Sequence, residues 1–148
     1  MHRHDSLTAA VARALVTKIC LLTGRGPVTT VLICDDRATA AQGLAEMLLP
    51  LPSLVDTTWV MDGFALVDAY ARRPVDLVLI GVHGENNVGG EAIGLMLGMN
   101  PTAVVMVVGS AADAEPLAAA FAVGARGLLV WEPDQALSDG YPDGPLVW

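Results

Sequence analysis

The chain has 148 residues and a mass of 15.4 kDa, which suits one domain, because each half of a divided chain would be too small to bury a good core. Hydrophobic residues make up 53% of the chain and charged residues 16%, with a mean hydropathy of +0.52, so a disordered chain is excluded and a buried parallel sheet is favoured. With 16 acidic residues against 8 basic ones, and a net charge of −8, the chain is not expected to bind nucleic acid.

The sequence predicts neither an export signal nor a membrane-spanning helix. The basic start is followed by an apolar stretch, but Arg13 and Lys18 interrupt it, so no export signal is predicted. The 21 residues from Ala92 to Ala112 carry no charge, which meets the length of a membrane-spanning helix. Because Asn100-Pro101-Thr102 divides this stretch, a short helix followed by a buried strand is predicted there instead.

The cysteine content indicates a reducing compartment. The two cysteines, Cys20 and Cys34, can build neither a disulfide framework nor a zinc site. Both lie in apolar runs, where a reduced and buried thiol is expected. The cytoplasm is therefore the predicted location.

The hydropathy pattern predicts alternating strands and helices after a first helix over residues 6–22. Short β-branched runs predict strands over 28–34, 55–60, 75–80, 103–108 and 127–131. The segments between them predict helices over 40–49, 63–72, 91–99 and 114–123. In the second of these, Phe64, Val67 and Tyr70 recur at intervals of three residues, which is typical of one helix face.

Strands that alternate with helices require right-handed crossovers and a parallel sheet covered on both faces, which is a doubly wound α/β domain. After the fifth strand a closing helix is expected to be missing or very short, because the tail contains two glycines and three prolines. One sheet face would then be partly bare. We expect the helix over 6–22 to cover it, in its own chain or in a neighbouring one; an equally stable and soluble monomer after deletion of residues 1–24 would contradict this.

Several short motifs occur in the order and spacing of a known family. They are VLICDD at 31–36, Met61-Asp62-Gly63, PVDLVLI at 74–80, Val123-Gly124-Ala125 and GLLVW at 127–131. Together they resemble the receiver domain of bacterial response regulators. The resemblance covers residues 28–133, preceded by a helix and linker over 1–27 and followed by an irregular tail over 134–148. It implies a flavodoxin-like sheet of order 2-1-3-4-5, with the chemistry at the carboxyl ends of the strands.

The resemblance also implies aspartyl phosphorylation, and the sequence departs from what that reaction needs. Asp35 and Asp36 match the acidic pair that binds Mg²⁺ in receivers. At the position of the phosphoacceptor aspartate, however, the chain has Gly81, which has no side chain to phosphorylate. Gly109, or Ser110 one residue later, occupies the position of the switch hydroxyl, and Trp131 that of the lysine. The chain therefore looks like an atypical receiver, or pseudo-receiver.

Two interpretations of the acidic pair stay open. In the first, Asp35 and Asp36 cap the following helix as a relic of a metal site. In the second, they still bind Mg²⁺ weakly together with the carbonyl of His83, without the carboxylate that Gly81 lacks. A transition-metal site built from His83, Glu85 and Glu91 is not supported, because the spacing of these residues matches no metal-binding motif.

Three functions follow in order of preference. The first is a signalling domain of the two-component, phosphorelay type that itself works without phosphorylation, by dimerisation or protein contact in transcriptional regulation. A homodimer is expected, with a DNA-binding domain or regulatory protein outside this chain as a further partner. The second is a small-molecule site in the altered pocket near Asp35, Gly81, Ser110 and Trp131. The third, an enzyme, is disfavoured, since the chain has no nucleophile motif or acid and base pair. No cofactor is expected beyond weak Mg²⁺.

Overall fold

A computed structural model describes residues 28–49, 54–82 and 88–131. Three segments that carry predictions lie outside the described residues. They are the predicted helix over 6–22, the loop that contains His83 and Glu85, and the tail that follows Trp131, including the position of a closing helix. The predictions for these segments, and the division of the chain at residues 27 and 133, stay predictions.

The described residues form five strands and four α-helices in strict alternation. The strands are β1 (Thr30–Cys34), β2 (Asp56–Val60), β3 (Leu77–Gly81), β4 (Val105–Ser110) and β5 (Gly127–Trp131). The helices are α1 (Ala38–Met47), α2 (Gly63–Arg72), α3 (Val88–Met99) and α4 (Ala114–Val123), with a 3₁₀ turn at Ala111–Asp113 before the last one. The boundaries lie within a few residues of those predicted from the hydropathy pattern.

All neighbouring strands pair in parallel, in the order β2-β1-β3-β4-β5, which confirms the predicted flavodoxin-like topology. The register brings together the residues that follow the first and third strands. Cys34 lies opposite Ile80, so the next residues, Asp35 and Gly81, are also neighbours at the carboxyl edge of the sheet.

Different helices pack on the two faces of the sheet. On one face, side chains of β1, β3 and β4 pack with α1 in a buried cluster that includes Ile33, Leu44, Leu79 and Met106. On the other face, a larger cluster joins the alternate strand residues to α2, α3 and α4. A parallel sheet buried on both faces needs continuous apolar strands, and every residue of β3 is accordingly buried.

The second helix differs from the prediction in one respect. Asp62 caps α2, since its Oδ1 accepts a hydrogen bond of 2.7 Å from the amide of Ala65. The buried residues of α2 are Leu66 and Tyr70, four residues apart, whereas Phe64 is 88% exposed. The spacing of Phe64, Val67 and Tyr70 therefore does not mark the buried face, because Phe64 lies more than 100° around the helix from Leu66 and Tyr70.

The uncharged stretch from Ala92 to Ala112 folds as predicted, into the second half of α3, a turn at Asn100-Pro101-Thr102 and strand β4. The turn is stabilised by Asn100, whose Oδ1 accepts hydrogen bonds from the amide and hydroxyl of Thr102. Within the described residues no helix has the length and apolar character needed to span a bilayer.

Candidate functional site at the carboxyl edge of the sheet

The site is built around Asp35, which directly follows β1 and is fully buried. Its backbone amide continues the strand ladder by donating to the carbonyl oxygen of Val60, at 3.1 Å. Asp35 is the one charged residue that is buried within the described parts of the chain. A buried carboxylate is costly unless donors surround it, so its partners decide what this site can do.

The carboxylate of Asp35 occupies the space that a side chain at position 81 would need. A Cβ atom added to Gly81 would overlap Oδ2 of Asp35 and lie 2.8 Å from its Cγ, much closer than such atoms approach in proteins. The backbone of Gly81 itself has no left-handed conformation. Glycine is therefore required at this position by the neighbouring carboxylate, and not by the backbone angles.

Arg37 supplies the positive charge beside Asp35. Its backbone amide donates to Asp35 Oδ1 at 3.0 Å, and its Nε lies 3.4 Å from the same oxygen. The Arg37 side chain is 35% exposed, so its guanidinium joins the buried carboxylate to solvent. Hydrogen bonds and a charged partner offset the cost of removing a carboxylate from water.

This arrangement corrects the interpretation of the acidic pair as a helix cap. Helix α1 begins at Ala38 with Arg37 as its N-cap residue, and the Arg37 side chain makes no capping hydrogen bond. Asp35 instead accepts from the amide two residues ahead, in the manner of an Asx turn. Asp36 is exposed and also precedes the helix.

Trp59 closes the site from the edge strand β2. Its indole Nε1 donates a hydrogen bond of 2.7 Å to the backbone carbonyl oxygen of Asp35. The indole is partly exposed, as expected for an aromatic ring with one polar atom bound to the protein. Trp59 thus fixes the backbone at the point where β1 ends.

The end of β4 is closely packed as well. A Cβ atom at Gly109 would lie 2.8 Å from the carbonyl oxygen of Val82 and 3.1 Å from both methyl carbons of Leu117. The residue at the predicted hydroxyl position therefore cannot carry a side chain without movement of the neighbouring backbone. Ser110 lies opposite Trp131 in the pairing of β4 with β5, so both are at the same edge as Asp35.

Negative charge accumulates around Cys34, the last residue of β1. Burial is the largest cause that raises the pKa of this thiol to about 12, followed by the nearby carboxylates of Asp35, Asp62 and Asp36. The cysteine is free and buried, as predicted. With its pKa raised so far, the thiol stays protonated near neutral pH and is not a nucleophile.

Comparison with solved structures identifies the fold. The chain is similar to the signal receiver domain of an HD domain-containing protein from Pseudomonas fluorescens Pf-5, with 21% identity, a TM-score of 0.60, and coverage of 72% of this chain and 79% of that one. It is also similar to the response regulator domain of CheB from Thermotoga maritima, with 23% identity, a TM-score of 0.57, and coverage of 70% and 78%. This chain has the fold of a receiver domain.

A third similar structure is described as a two-component response regulator. It is the two-component response regulator of the LuxR family from Aurantimonas sp. SI85-9A1, with 18% identity, a TM-score of 0.58, and coverage of 70% of this chain and 74% of that one. No protein-family model matches the sequence, and no curated protein matches it. The similarity therefore rests on three-dimensional structure.

The receiver fold implies a Mg²⁺ ion at this edge, and the described residues do not fit one. A tight Mg²⁺ site needs several oxygen ligands around one point. Here the carboxylate of Asp35 is held against Gly81 and bound by Arg37, while position 81 offers no oxygen ligand of its own side chain. Among the described residues, no group of three His, Cys, Asp or Glu side chains is arranged to hold a metal ion.

Asp76, the nearest acidic residue before Gly81, lies at the opposite edge of the sheet and has a structural role there. One of its oxygens accepts hydrogen bonds of 2.8 Å from both the amide and the hydroxyl of Thr29, and further bonds from Thr30. The bond from the Thr29 amide is the largest cause that lowers the pKa of Asp76. Asp76 thus connects the beginnings of β1 and β3.

The sequence predicted at which positions the chain differs from the receiver motifs, but not which groups fill the space there. Arg37 and Trp59 were missed, although Arg37 lies two residues after Asp35, a spacing that allows an Asx turn. The assignments of Gly109 or Ser110 to the hydroxyl position and of Trp131 to the lysine position stay predictions, since for Ser110 and Trp131 the structure describes only the strand positions.

Proposed function

We propose that this chain is a receiver-like signalling domain that works without aspartyl phosphorylation and without Mg²⁺, through contact with other proteins. The observation that carries the proposal is the position of Asp35. Its carboxylate fills the space beside Gly81 and is already bound by Arg37, so the site provides neither an accessible phosphoacceptor nor a vacant acidic pair. The domain resembles a receiver whose conformation is fixed rather than switched.

The proposed setting is the control of transcription, in a protein of the two-component type. The support is the similarity to receiver structures, one of which is described as a LuxR-family response regulator. We propose a homodimer as the working state, with a DNA-binding domain or a regulatory protein outside this chain as the output. We propose no catalytic activity, because the buried thiol and the bound carboxylate lack the freedom that a nucleophile needs.

The geometry gives less support to the alternative of a small-molecule site at the altered pocket. In the described part of that region, the position beside Gly81 is filled by Asp35, and the position beside Gly109 by Leu117 and the Val82 carbonyl. Two cavities that the described residues line lie elsewhere, on either side of α2. The geometry therefore favours the signalling function over a small-molecule site.

The proposal is tested by incubation of the full chain with acetyl phosphate and Mg²⁺, followed by intact mass spectrometry. We expect no mass increase by a phosphoryl group, because Asp35 is inaccessible and Gly81 has no acceptor. A stoichiometric adduct that hydroxylamine removes would contradict the proposal. The Asp35→Asn variant is the matched control, since an adduct that persists in it must lie on another residue.

A further inference from the structure

The most exposed of the large apolar side chains among the described residues lies at the start of α2. Phe64 is 88% exposed, and Leu95 of α3 is 56% exposed. Neither is needed for the core, because α2 is anchored by Leu66 and Tyr70. Leaving a phenylalanine in water forgoes about 2 kcal/mol of burial free energy, which another protein could recover on binding.

Phe64 and Leu95 line the same groove. Helices α2 and α3 flank a cavity of about 610 Å³, here called the α2–α3 groove, whose apolar walls include Phe64, Val67 and Leu95. Single exposed apolar residues are common on protein surfaces, but a contiguous set along a groove is typical of a binding site. The other apolar positions of the wall, Gly63, Ala71 and Ala92, are small, so the groove has room for large side chains from outside.

The shape of the α2–α3 groove favours a helix as its occupant. From Phe64 to Ala71 the wall extends by seven residues of one helix, which is about 10 Å. This length accommodates side chains at i, i+3 or i+4, and i+7 of a bound helix. A bound strand would gain no ladder here, because the backbones of both walls are already hydrogen-bonded within α2 and α3.

The charge of the α2–α3 groove selects among helices. The charged residues that line it are both acidic, Asp68 on one wall and Glu91 on the other. Asp68 also pairs with Arg72 at 2.9 Å, on the exposed side of α2, where such pairs contribute little free energy. Within the described residues, no ion pair involves Glu91.

These charges argue against the described part of a second copy as the occupant. The described residues include ten acidic and four basic side chains, so this part of another copy would bring further negative charge to Asp68 and Glu91. A basic helix would instead meet opposite charge at the rim and apolar side chains at the floor. Such complementarity raises both the association rate and the specificity.

We propose that the α2–α3 groove binds an amphipathic, basic helix of a partner protein. Apolar residues of that helix enter between Phe64 and Leu95, and its Lys or Arg residues pair with Glu91 and Asp68. The inference rests on the proposed function in one respect, since a domain that signals by contact needs a docking surface. The α2–α3 groove is that surface, and the partner supplies a basic, amphipathic helix.

Two synthetic helical peptides of about 18 residues test the proposal, long enough to form helix on binding. They share one leucine stripe and carry either lysine or glutamate on the polar face. Binding to the full chain is measured by fluorescence anisotropy at physiological salt. We expect the lysine peptide to bind and the glutamate peptide to bind at least tenfold more weakly. Equal binding of both, or no binding of the lysine peptide, would overturn the proposal.

Four variants locate the binding site. We expect Phe64→Ala and Glu91→Lys each to weaken binding of the lysine peptide about tenfold, by removing an anchor and by reversing a rim charge. Val55→Ala and Glu46→Lys are the matched controls, as both residues are exposed and outside the α2–α3 groove, and both should bind as the unmodified chain does. Equal losses in controls and groove variants would overturn the proposal. Circular dichroism melts verify that every variant is folded.

The same preparations separate this inference from the proposed function. If the lysine peptide does not bind and acetyl phosphate adds no phosphoryl group, the groove inference fails alone. If a phosphoryl adduct forms while the four variants behave as expected, the proposed function fails and the groove remains. If light scattering shows a dimer that Phe64→Ala dissociates, the α2–α3 groove is a contact between copies, and the basic-helix proposal is overturned.

Discussion

Two aspartates at opposite edges of the same sheet show how position decides the role of a carboxylate. Asp76, before β3, is exposed and accepts hydrogen bonds from Thr29 and Thr30. Asp35, after β1, is buried, is paired with Arg37 and occupies the space above Gly81. The first carboxylate can be lost at modest cost, because water can replace its partners. The second cannot, because its surroundings are built for one buried negative charge.

The largest loss of stability is expected when a side chain is introduced at position 81, beside Asp35. Gly81→Ala places a methyl group on the Asp35 carboxylate, and we expect the free energy of unfolding to fall by about 3 kcal/mol. Urea denaturation measures it. In an Asp35→Ala background the same substitution should cost at least about 1 kcal/mol less, since the overlapping group is gone.

Gly98 offers a matched control for this prediction. It lies on the exposed side of α3, and a Cβ atom there would meet nothing within 4 Å. Gly98→Ala should therefore raise the free energy of unfolding by about 0.5 to 1 kcal/mol, because alanine favours helix. A comparable loss in both variants would show that Asp35 does not set the requirement at position 81.

The second effect concerns the charge partner of Asp35. We expect Arg37→Ala to lower the free energy of unfolding by about 2 kcal/mol, because a buried carboxylate loses its counter-ion. Arg72→Ala, which removes an exposed pair with Asp68, should change it by less than about 0.5 kcal/mol. Equal effects in urea denaturation would mean that the pair at Asp35 is no stronger than a surface pair.

The smallest effect is expected at the amino edge. Asp76→Asn should lower the free energy of unfolding by about 1 kcal/mol at neutral pH, since the bonds from Thr29 and Thr30 then meet an uncharged acceptor. Because folding lowers the pKa of Asp76, its contribution is complete above the ordinary value of 3.8 and is lost as the pH falls through the lowered one. The difference between the two proteins should therefore vanish in acid, and a difference that persists there would contradict this account.

More of the fold than of the site could be predicted from the sequence. Continuous apolar strands such as β3, and breaks such as Gly124, are local signals, and the structure confirms the topology and the end of α4 at a residue with φ of 137°. The absence of a phosphoacceptor could also be read directly from Gly81. That the Asp35 carboxylate fills the space beside Gly81 could not be predicted from the sequence. This contact joins residues that are distant in sequence, and it depends on the register of β1 with β3.

The apolar periodicity of α2 also did not identify its buried face. The spacing of Phe64, Val67 and Tyr70 fits a helix face, but Leu66 and Tyr70 form the buried stripe, and periodicity alone does not say which of two apolar stripes faces the sheet. In this protein the stripe that does not face the sheet includes Phe64, which lines the α2–α3 groove.

The central claim is that an arginine, and not a metal ion, neutralises the carboxylate at the carboxyl edge of the sheet. Thermal unfolding with and without Mg²⁺, at matched ionic strength, tests it most directly, because a ligand that binds only the folded state stabilises it and raises Tm as the ligand concentration increases above its Kd. We expect the Tm of the unmodified chain to be the same in both conditions. An increase in Tm with Mg²⁺ concentration that is lost in Asp35→Asn would contradict the account.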